Sequence, residues 1–297
     1  MAQINSFKDL VAILFAEQLL PAGISIPANV APIPGGVGNS LIAALLAAPC
    51  AVCQAVLDEP LTGCVCQTCW ASIRPITPPI CDACGDPLPR QPQSLIPNRQ
   101  SLGQSPIPSP QSPISGLCAQ CVRHRPAIER ARTIGEYDGV LRDVIHALKY
   151  DGRRSLARRL AALMRARGAD LLEEADCVVP VPLHWRREYS RGFNQARELA
   201  CHLGLPVVDA LVRRRHTRAQ VELAADRRRA NVAGAFRLRR GWPREPNIRG
   251  IRVLLIDDVS TTGATLESCA RALHGCGASE VFALTAARVV SRRLGHF

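Results

Sequence analysis

The chain has 297 residues, 47% of them hydrophobic, and a mean hydropathy of +0.04, values that are ordinary for a soluble chain burying one large and one small domain. The 37 Lys and Arg residues outnumber the 25 Asp and Glu residues, which gives a net charge of +12. No stretch of the sequence approaches the roughly 18 consecutive apolar residues of a transmembrane helix. Residues 1–10 also lack the basic start of a secretory signal, so we expect a cytoplasmic protein.

Arginine dominates the basic residues, since Lys8 and Lys149 are the only lysines. Guanidinium groups suit phosphate because they donate two parallel hydrogen bonds to it. A compositional bias of the gene explains the same excess equally well. Net charge alone therefore assigns no partner.

Residues 1–48 are predicted to form an N-terminal extension that is partly disordered. The stretch from Pro21 to Ser40 is rich in proline and glycine, and reads PAGISIPANVAPIPGGVGNS. Its glycine-rich end lacks the lysine that a phosphate-binding P-loop requires. We therefore assign this extension no site.

A repeated cysteine pattern in residues 49–126 predicts a small metal-binding module. In a reducing compartment, 13 cysteines favour metal ligands over disulfides. Eight of them form four Cys-x2-Cys knuckles: Cys50 and Cys53, Cys66 and Cys69, Cys81 and Cys84, and Cys118 and Cys121. Each knuckle supplies two thiolates from one turn, and two knuckles complete the tetrahedral shell of zinc. We predict two structural zinc sites of four thiolates each.

The pairing of the knuckles is open at this stage. Sequential pairing is the simplest arrangement, but interleaved pairing uses the same thiolates, and Cys64 is able to replace a neighbouring ligand. Residues 87–116 separate the last two knuckles and are rich in Pro, Ser and Gln without apolar periodicity, which predicts a disordered insertion. The entropy of closing a loop rises only logarithmically with its length, so the second site tolerates the insertion.

Residues 127–297 have the alternating pattern of an α/β domain. Apolar runs predict strands, and apolar residues at helical spacing predict helices. The predicted elements are a strand at Thr133–Tyr137, helices at Val140–Lys149 and Leu156–Arg167, a strand at Cys177–Val181, and a helix carrying Ala196 to Leu203 that ends at Gly204.

The run VLLIDDVSTTGAT, from Val253 to Thr265, is the most informative part of the sequence. Its four initial apolar residues do not alternate with polar ones, which is typical of a central parallel strand covered on both faces. A hydroxyl-rich turn then leads into an amphipathic helix, followed by a strand at Val281–Leu284. Amides at a helix N-terminus bind anions, and adjacent carboxylates at Asp257 and Asp258 accept hydrogen bonds from sugar hydroxyls. The run therefore predicts a site for a phosphorylated sugar.

At these residues the chain resembles the type I phosphoribosyltransferases, which bind phosphoribosyl pyrophosphate. The resemblance implies that Asp257 and Asp258 hold the ribose hydroxyls and that magnesium arrives with the ligand. It also implies that the 5-phosphate is held by a loop, which we call the phosphate loop, of Ser260, Thr261, Thr262, Gly263, Ala264 and Thr265. The turn after Cys177–Val181 meets the same crevice, because ligands of such sheets bind at the carboxyl ends of the strands.

Further stretches narrow the resemblance to the ComF family of competence proteins. They include CDACGDPLP, LRDVIHALKYDGRRSLARRLA and VVPVPLHWRREYSRGFNQA. The family fold is a parallel sheet flanked by helices and preceded by zinc ribbons. By this resemblance, the pyrophosphate is received by Pro180, Val181, Pro182, Leu183, His184 and Arg187. The RGFNQ signature consists of Arg191, Gly192, Phe193, Asn194 and Gln195.

Three functions follow from the resemblance. The first is binding of phosphoribosyl pyrophosphate together with handling of single-stranded DNA in natural competence, where a helicase or channel component is a further partner. The second is an active phosphoribosyltransferase of nucleotide salvage, with Arg213 to Phe236 as a mobile hood. The third is a sensor that binds the ligand without turnover. No catalytic residue is assigned, although His184 and His216 lie in the predicted loops.

Overall fold

The computed structural model of the protein describes residues 49–58, 60, 63–89, 116–214, 234–239 and 246–290. The N-terminal extension, most of the predicted insertion and most of the predicted hood lie outside these residues. Within the described ranges, no helix combines the length and the apolar character that crossing a membrane requires.

A four-stranded parallel sheet forms the centre of the fold, in the order β1-β6-β5-β2, and a two-stranded antiparallel ribbon pairs β3 with β4. Helices connect the strands of the sheet. In chain order the elements are α1 (Gln67–Ala71), α2 (Ala119–Arg123), β1 (Ala131–Glu136), α3 (Gly139–Tyr150), α4 (Leu156–Arg167), α5 (Ala169–Glu174), β2 (Cys177–Pro180), α6 (Trp185–Arg191), α7 (Gln195–Ala200), β3 (Leu211–Arg213), β4 (Phe236–Leu238), β5 (Arg252–Ser260), α8 (Ala264–His274) and β6 (Glu280–Arg288).

Strand β5 lies between β6 and β2, as its unbroken apolar run predicts. Alternate residues of β5 enter different cores, since successive side chains of a strand point to opposite faces. Leu254 and Ile256 pack with helices α3, α4 and α7. Val253 and Leu255 pack with α8. The sheet is therefore covered on both faces, and its functional groups are confined to the strand ends.

The two cysteine knuckle pairs dock on the domain in different ways. Cys50 and Trp70 of the first pair are buried in the larger core, and the guanidinium of Arg159 lies 5.2 Å from the centre of the Trp70 ring. The second pair contributes a separate small cluster of buried residues, Cys81, Ala83 and Cys121. It attaches to the edge of the sheet through the amide of Ala131, which donates to the Asp82 carbonyl at 2.8 Å.

Candidate functional site

The acid pair lies near the carboxyl end of the central strand. Strand β5 continues through Asp257 and Asp258 to Ser260 because it stays paired with β6 that far, so the strand is longer than its apolar run predicts. Asp258 is 9% exposed. The Asp257 carboxylate accepts a hydrogen bond from the Asp258 amide at 2.9 Å, which fixes its orientation.

Lys149 supplies the cation that the acid pair needs. It lies at the end of α3, and its Nζ is 3.0 Å from Oδ1 of Asp258, with both side chains largely buried. Burial disfavours the ammonium, but the charge and hydrogen bond of Asp258, together with the charges of Asp257 and Tyr137, outweigh burial and raise the pKa of Lys149 above its ordinary value. Lys149 is not among the residues that the sequence predicts for the site. The available signal was that a lysine is rare in this arginine-rich chain.

The surroundings of the acid pair also shift the pKa of Asp257. Burial, with the charge of Asp258 adding to it, raises the pKa of Asp257 to about 7. Burial, with the nearby charge of Arg187 adding to it, lowers the pKa of Arg213. Asp257 is thus the carboxylate whose charge changes near neutral pH, while Asp258 is paired with Lys149.

The phosphate loop leads from β5 into α8. Gly263 has a φ of 74°, a left-handed conformation that glycine adopts without strain, and it precedes the first residue of the helix. The amide of Ala264 donates weakly to Oγ1 of Thr262, at 3.5 Å. The N-terminal amides of the 11-residue α8 and the positive end of its dipole point toward this loop. The arrangement can bind an anion beside the acid pair.

The predicted pyrophosphate loop connects β2 to α6 next to the acid pair. Pro180 ends β2, and the amide of Val181 donates to the carbonyl of Ile256 at 2.9 Å. His184 is buried and caps α6, its Nδ1 accepting a hydrogen bond from the Arg186 amide at 3.3 Å. Pro182 and Leu183 are half-buried between the strand and the helix, and Arg187 lies in the helix itself.

The RGFNQ signature mainly shapes this connection. Gly192 ends α6 in a left-handed conformation, and Phe193 is buried in the core. The Asn194 side chain caps α7 through the Ala196 amide and donates to the Val181 carbonyl, both at 3.0 Å. Arg191 donates to Oε1 of the buried Gln195 at 3.0 Å. These contacts fix the loop that follows β2.

The eight predicted cysteine ligands come together in two groups, and their pairing is sequential. One group holds Cys50, Cys53, Cys66 and Cys69, and the other holds Cys81, Cys84, Cys118 and Cys121. Within each group the sulfur atoms lie within 4.8 Å of one another. A tetrahedral zinc with Zn–S bonds of about 2.3 Å places its sulfurs about 3.8 Å apart, close to the 3.7 Å between Cys84 and Cys118. Cys64 belongs to neither group.

Backbone amides stabilise thiolates in the first group. Burial opposes the thiolate of Cys50, but amides that include those of Cys53, Cys66 and Val52 outweigh burial and lower its pKa to about 6. Amide-to-sulfur hydrogen bonds of this kind support a metal-bound thiolate. Four thiolates in one closed group fit structural zinc, which leaves no open coordination position for catalysis.

Comparisons with known proteins agree with this architecture. The family described as phosphoribosyl transferase domain matches residues 189–294, and the double zinc ribbon domain matches residues 41–100. Competence protein F of Haemophilus influenzae is 33% identical over 174 residues, covering 55% of this chain and 75% of that protein. DNA utilization protein YhgH of Salmonella typhimurium is 32% identical over 226 residues, covering 72% and 93%. Competence protein ComFC of Bacillus subtilis is 25% identical over 216 residues, covering 70% and 77%.

Proposed function

Because the chain belongs to the ComF family of competence proteins, we propose that it binds phosphoribosyl pyrophosphate with magnesium and handles single-stranded DNA on the cytosolic side of uptake. The observation that carries the ligand proposal is the position of Asp257 and Asp258 beside the N-terminus of α8. Carboxylates accept hydrogen bonds from ribose hydroxyls, and the amides of the phosphate loop donate to a phosphate. The end of β5 and the loop that follows it thus offer acceptors for the ribose hydroxyls and donors for the phosphate.

The charges around the site suit a strongly anionic ligand. Lys149 neutralises Asp258, so the acid pair does not present two uncompensated negative charges to the ligand. Arg187 and Arg213 lie close enough to each other for their charges to interact unfavourably. An incoming pyrophosphate group relieves that repulsion because it supplies negative charge between them. Magnesium, whose preferred ligands are oxygens, is carried by the ligand's phosphates.

The geometry favours binding of phosphoribosyl pyrophosphate over its transfer to an acceptor. A transferase of nucleotide salvage needs a group that activates the acceptor, and His184 is instead engaged as the cap of α6. His216 and the rest of the predicted hood lie outside the described residues. The transferase and the sensor differ in one measurable product, since only the transferase releases pyrophosphate when nucleobases are supplied.

Calorimetry of the zinc-loaded protein tests the ligand. We expect magnesium phosphoribosyl pyrophosphate to bind more tightly as the pH rises from 6 to 8, because the pKa of Asp257 is about 7 and only its carboxylate accepts from two hydroxyls. Asp257→Asn should weaken binding by about 1.5–3 kcal/mol, the value of a hydrogen bond to a charged group. The variant should also lose the part of the pH dependence that the wild type owes to Asp257.

The matched control is Asp176→Asn. Asp176 is an exposed acid that pairs with Arg252 at the opposite end of β5, so its loss should leave the affinity unchanged. The ligand proposal fails if the wild type shows no binding heat, or if Asp257→Asn binds as tightly as the wild type at pH 8.

A separate observation favours contact with single-stranded DNA. Trp185 and Tyr189 lie four residues apart on α6, are 64% and 88% exposed, and therefore share one face of the helix. Arg186 stacks over Trp185, with its guanidinium 5.2 Å from the ring centre. Arg191 stacks in the same way over the exposed Tyr150. Aromatic rings flanked by guanidinium groups bind stacked bases and the phosphates between them.

Replacing both Trp185 and Tyr189 by alanine should weaken binding of a single-stranded oligonucleotide by about 1–3 kcal/mol per base stacked, as measured by fluorescence anisotropy. Binding to the wild type should also weaken steeply with salt, because phosphate contacts release counterions. Val56→Ala removes an apolar side chain that is 59% exposed and lies between the first two cysteine knuckles in sequence, and it should have no effect. Equal affinity of both variants would exclude α6 as the DNA-binding face.

A further inference from the structure

Arg288 joins the second cysteine group to the phosphate loop. It lies at the carboxyl end of β6, is 6% exposed, and donates to two side chains at once. Its Nε donates to Oδ1 of Asp86, and its Nη1 donates to Oγ of Ser260 at 3.1 Å. Asp86 is the carboxylate that pairs with this buried guanidinium. The buried charge of Arg288 therefore depends on Asp86 for its partner.

The cysteine group fixes the position of Asp86. Asp86 follows Cys84 by two residues, and its carbonyl accepts a hydrogen bond from the Cys81 amide at 2.7 Å, which closes the turn holding both cysteines. A metal bound by Cys81 and Cys84 restrains that turn further. If the turn opens, Asp86 moves and Arg288 is left as a buried charge without its partner, which is strongly unfavourable.

Ser260 is held by the same end of β6. It is 4% exposed and begins the phosphate loop. Besides the contact of its hydroxyl with Arg288, its carbonyl accepts a hydrogen bond from the Val289 amide at 2.9 Å. A cavity of about 900 Å³, lined by residues of the second cysteine group and of α8, lies beside this junction. Close packing is thus interrupted there, and Arg288 connects the second cysteine group to the phosphate loop by polar contacts with Asp86 and Ser260.

We infer that Arg288 is a positioning residue through which metal occupancy of the second cysteine group orders the phosphate loop. The first cysteine group does not share this role, since its contacts are with the larger core around α4. The effect on the loop follows from the contacts alone. Its effect on ligand affinity rests on the proposed binding of phosphoribosyl pyrophosphate. Coupling between two sites is reciprocal, so ligand binding should in turn protect the second metal site.

Hydrogen exchange of the loop amides is the first test, and it needs no ligand. Asp86→Asn and Arg288→Lys should each speed exchange at residues 261–265 by roughly tenfold, within the usual range of coupling between sites. Lysine keeps the charge of Arg288 but lacks the planar group that reaches two acceptors. Asp82→Asn is the matched control, because this exposed acid lies in the same cysteine turn and should leave the exchange unchanged.

Metal content and exchange elsewhere separate this effect from unfolding. Both variants should keep two zinc ions per chain and normal exchange at residues 50–58. If a variant fails to fold, Ser260→Ala replaces it, since that change removes only the loop end of the contact. Unchanged loop exchange in folded Asp86→Asn, Arg288→Lys and Ser260→Ala would overturn the inference whether or not any ligand binds.

The second test uses the reciprocity. Magnesium phosphoribosyl pyrophosphate should slow alkylation of Cys118 and Cys121 by roughly tenfold, as measured by peptide mass spectrometry, and leave Cys66 and Cys69 unaffected. Asp86→Asn should abolish this protection. Binding of the ligand without selective protection would contradict the coupling. Faster loop exchange in Asp86→Asn together with no ligand binding would keep the inference and refute the proposed ligand instead.

Discussion

Replacing Lys149 by methionine is expected to lower the free energy of unfolding by about 3–5 kcal/mol, because the change leaves Asp258 buried without its cation. The side chains of the pair are 14% and 12% exposed, so water replaces little of the lost interaction. The pKa of Lys149 is raised above 10.5, so this stabilisation is complete at neutral pH and is lost only as the pH rises above that value. Urea unfolding at pH 7 measures it.

Two further variants define what this result means. Arg74→Met breaks a pair whose side chains are 64% and 52% exposed, and should cost less than about 1 kcal/mol. Combining Lys149→Met with Asp258→Leu should recover most of the lost stability, since apolar residues often replace a buried ion pair without cost. The double variant should still fail to bind phosphoribosyl pyrophosphate. Equal destabilisation by Lys149→Met and Arg74→Met would contradict the role of the buried pair.

The sequence predicts elements that have their own apolar pattern. The helix at Leu156–Arg167 has the predicted bounds, because Leu156, Leu160 and Met164 form one buried face. The same argument holds for α8, whose apolar residues recur at helical spacing and whose end is marked by glycine. Strand β5 is central, as predicted, since residues buried on both faces leave no polar alternation.

Helix α6 is not predicted by apolar periodicity. None of its residues is buried, so no apolar periodicity marks it in the sequence. Its ends are set instead by the His184 cap and the left-handed Gly192. From the sequence, this stretch is expected to be a loop running into α7. A short exposed helix held by its caps is difficult to distinguish from a loop without tertiary contacts.

The groups that complete the site come from distant parts of the chain. The sequence predicts Asp257 and Asp258 because they adjoin a strand and a glycine turn. It does not predict their partner Lys149, which lies at the end of a helix placed by packing on the sheet. Arg288 likewise reaches Ser260 only because β6 pairs with β5 to its last residue. Local sequence patterns thus identify the carboxylates of the site. The cations Lys149 and Arg288 reach it only through the packing and pairing of distant elements.

Replacing a cysteine ligand in the first group and replacing one in the second group should destabilise the protein to different extents. Cys50→Ser and Cys81→Ser should each reduce the metal content from two zinc ions to one. Structural zinc contributes roughly 10–16 kcal/mol of apparent binding free energy to the fold around it. How much of the chain depends on that energy is decided by what each group is packed against.

The first group is part of the main core. Cys50 and Cys69 are buried there with Leu57, Val65 and Trp70, so loss of that metal exposes residues on which α3 and α4 pack. We expect Cys50→Ser to lower the melting temperature of the whole chain by roughly 10 °C or more, since each kcal/mol corresponds to about 2–4 °C at this size. Calorimetry and metal analysis of the purified variant check this.

The second group has almost no core besides its metal. In the part of this segment that the structure describes, the buried apolar side chains are Cys81, Ala83 and Cys121, too few to offset the conformational entropy of ordering the segment. Cys81→Ser should therefore unfold residues 80–89 and 116–125 locally, seen as rapid hydrogen exchange there, while the main unfolding transition moves by only a few degrees. If both variants lowered the main transition equally, the second cysteine group would unfold together with the main core. The faster loop exchange expected of the Asp86 and Arg288 variants would then reflect lower global stability, and not a local connection to the phosphate loop.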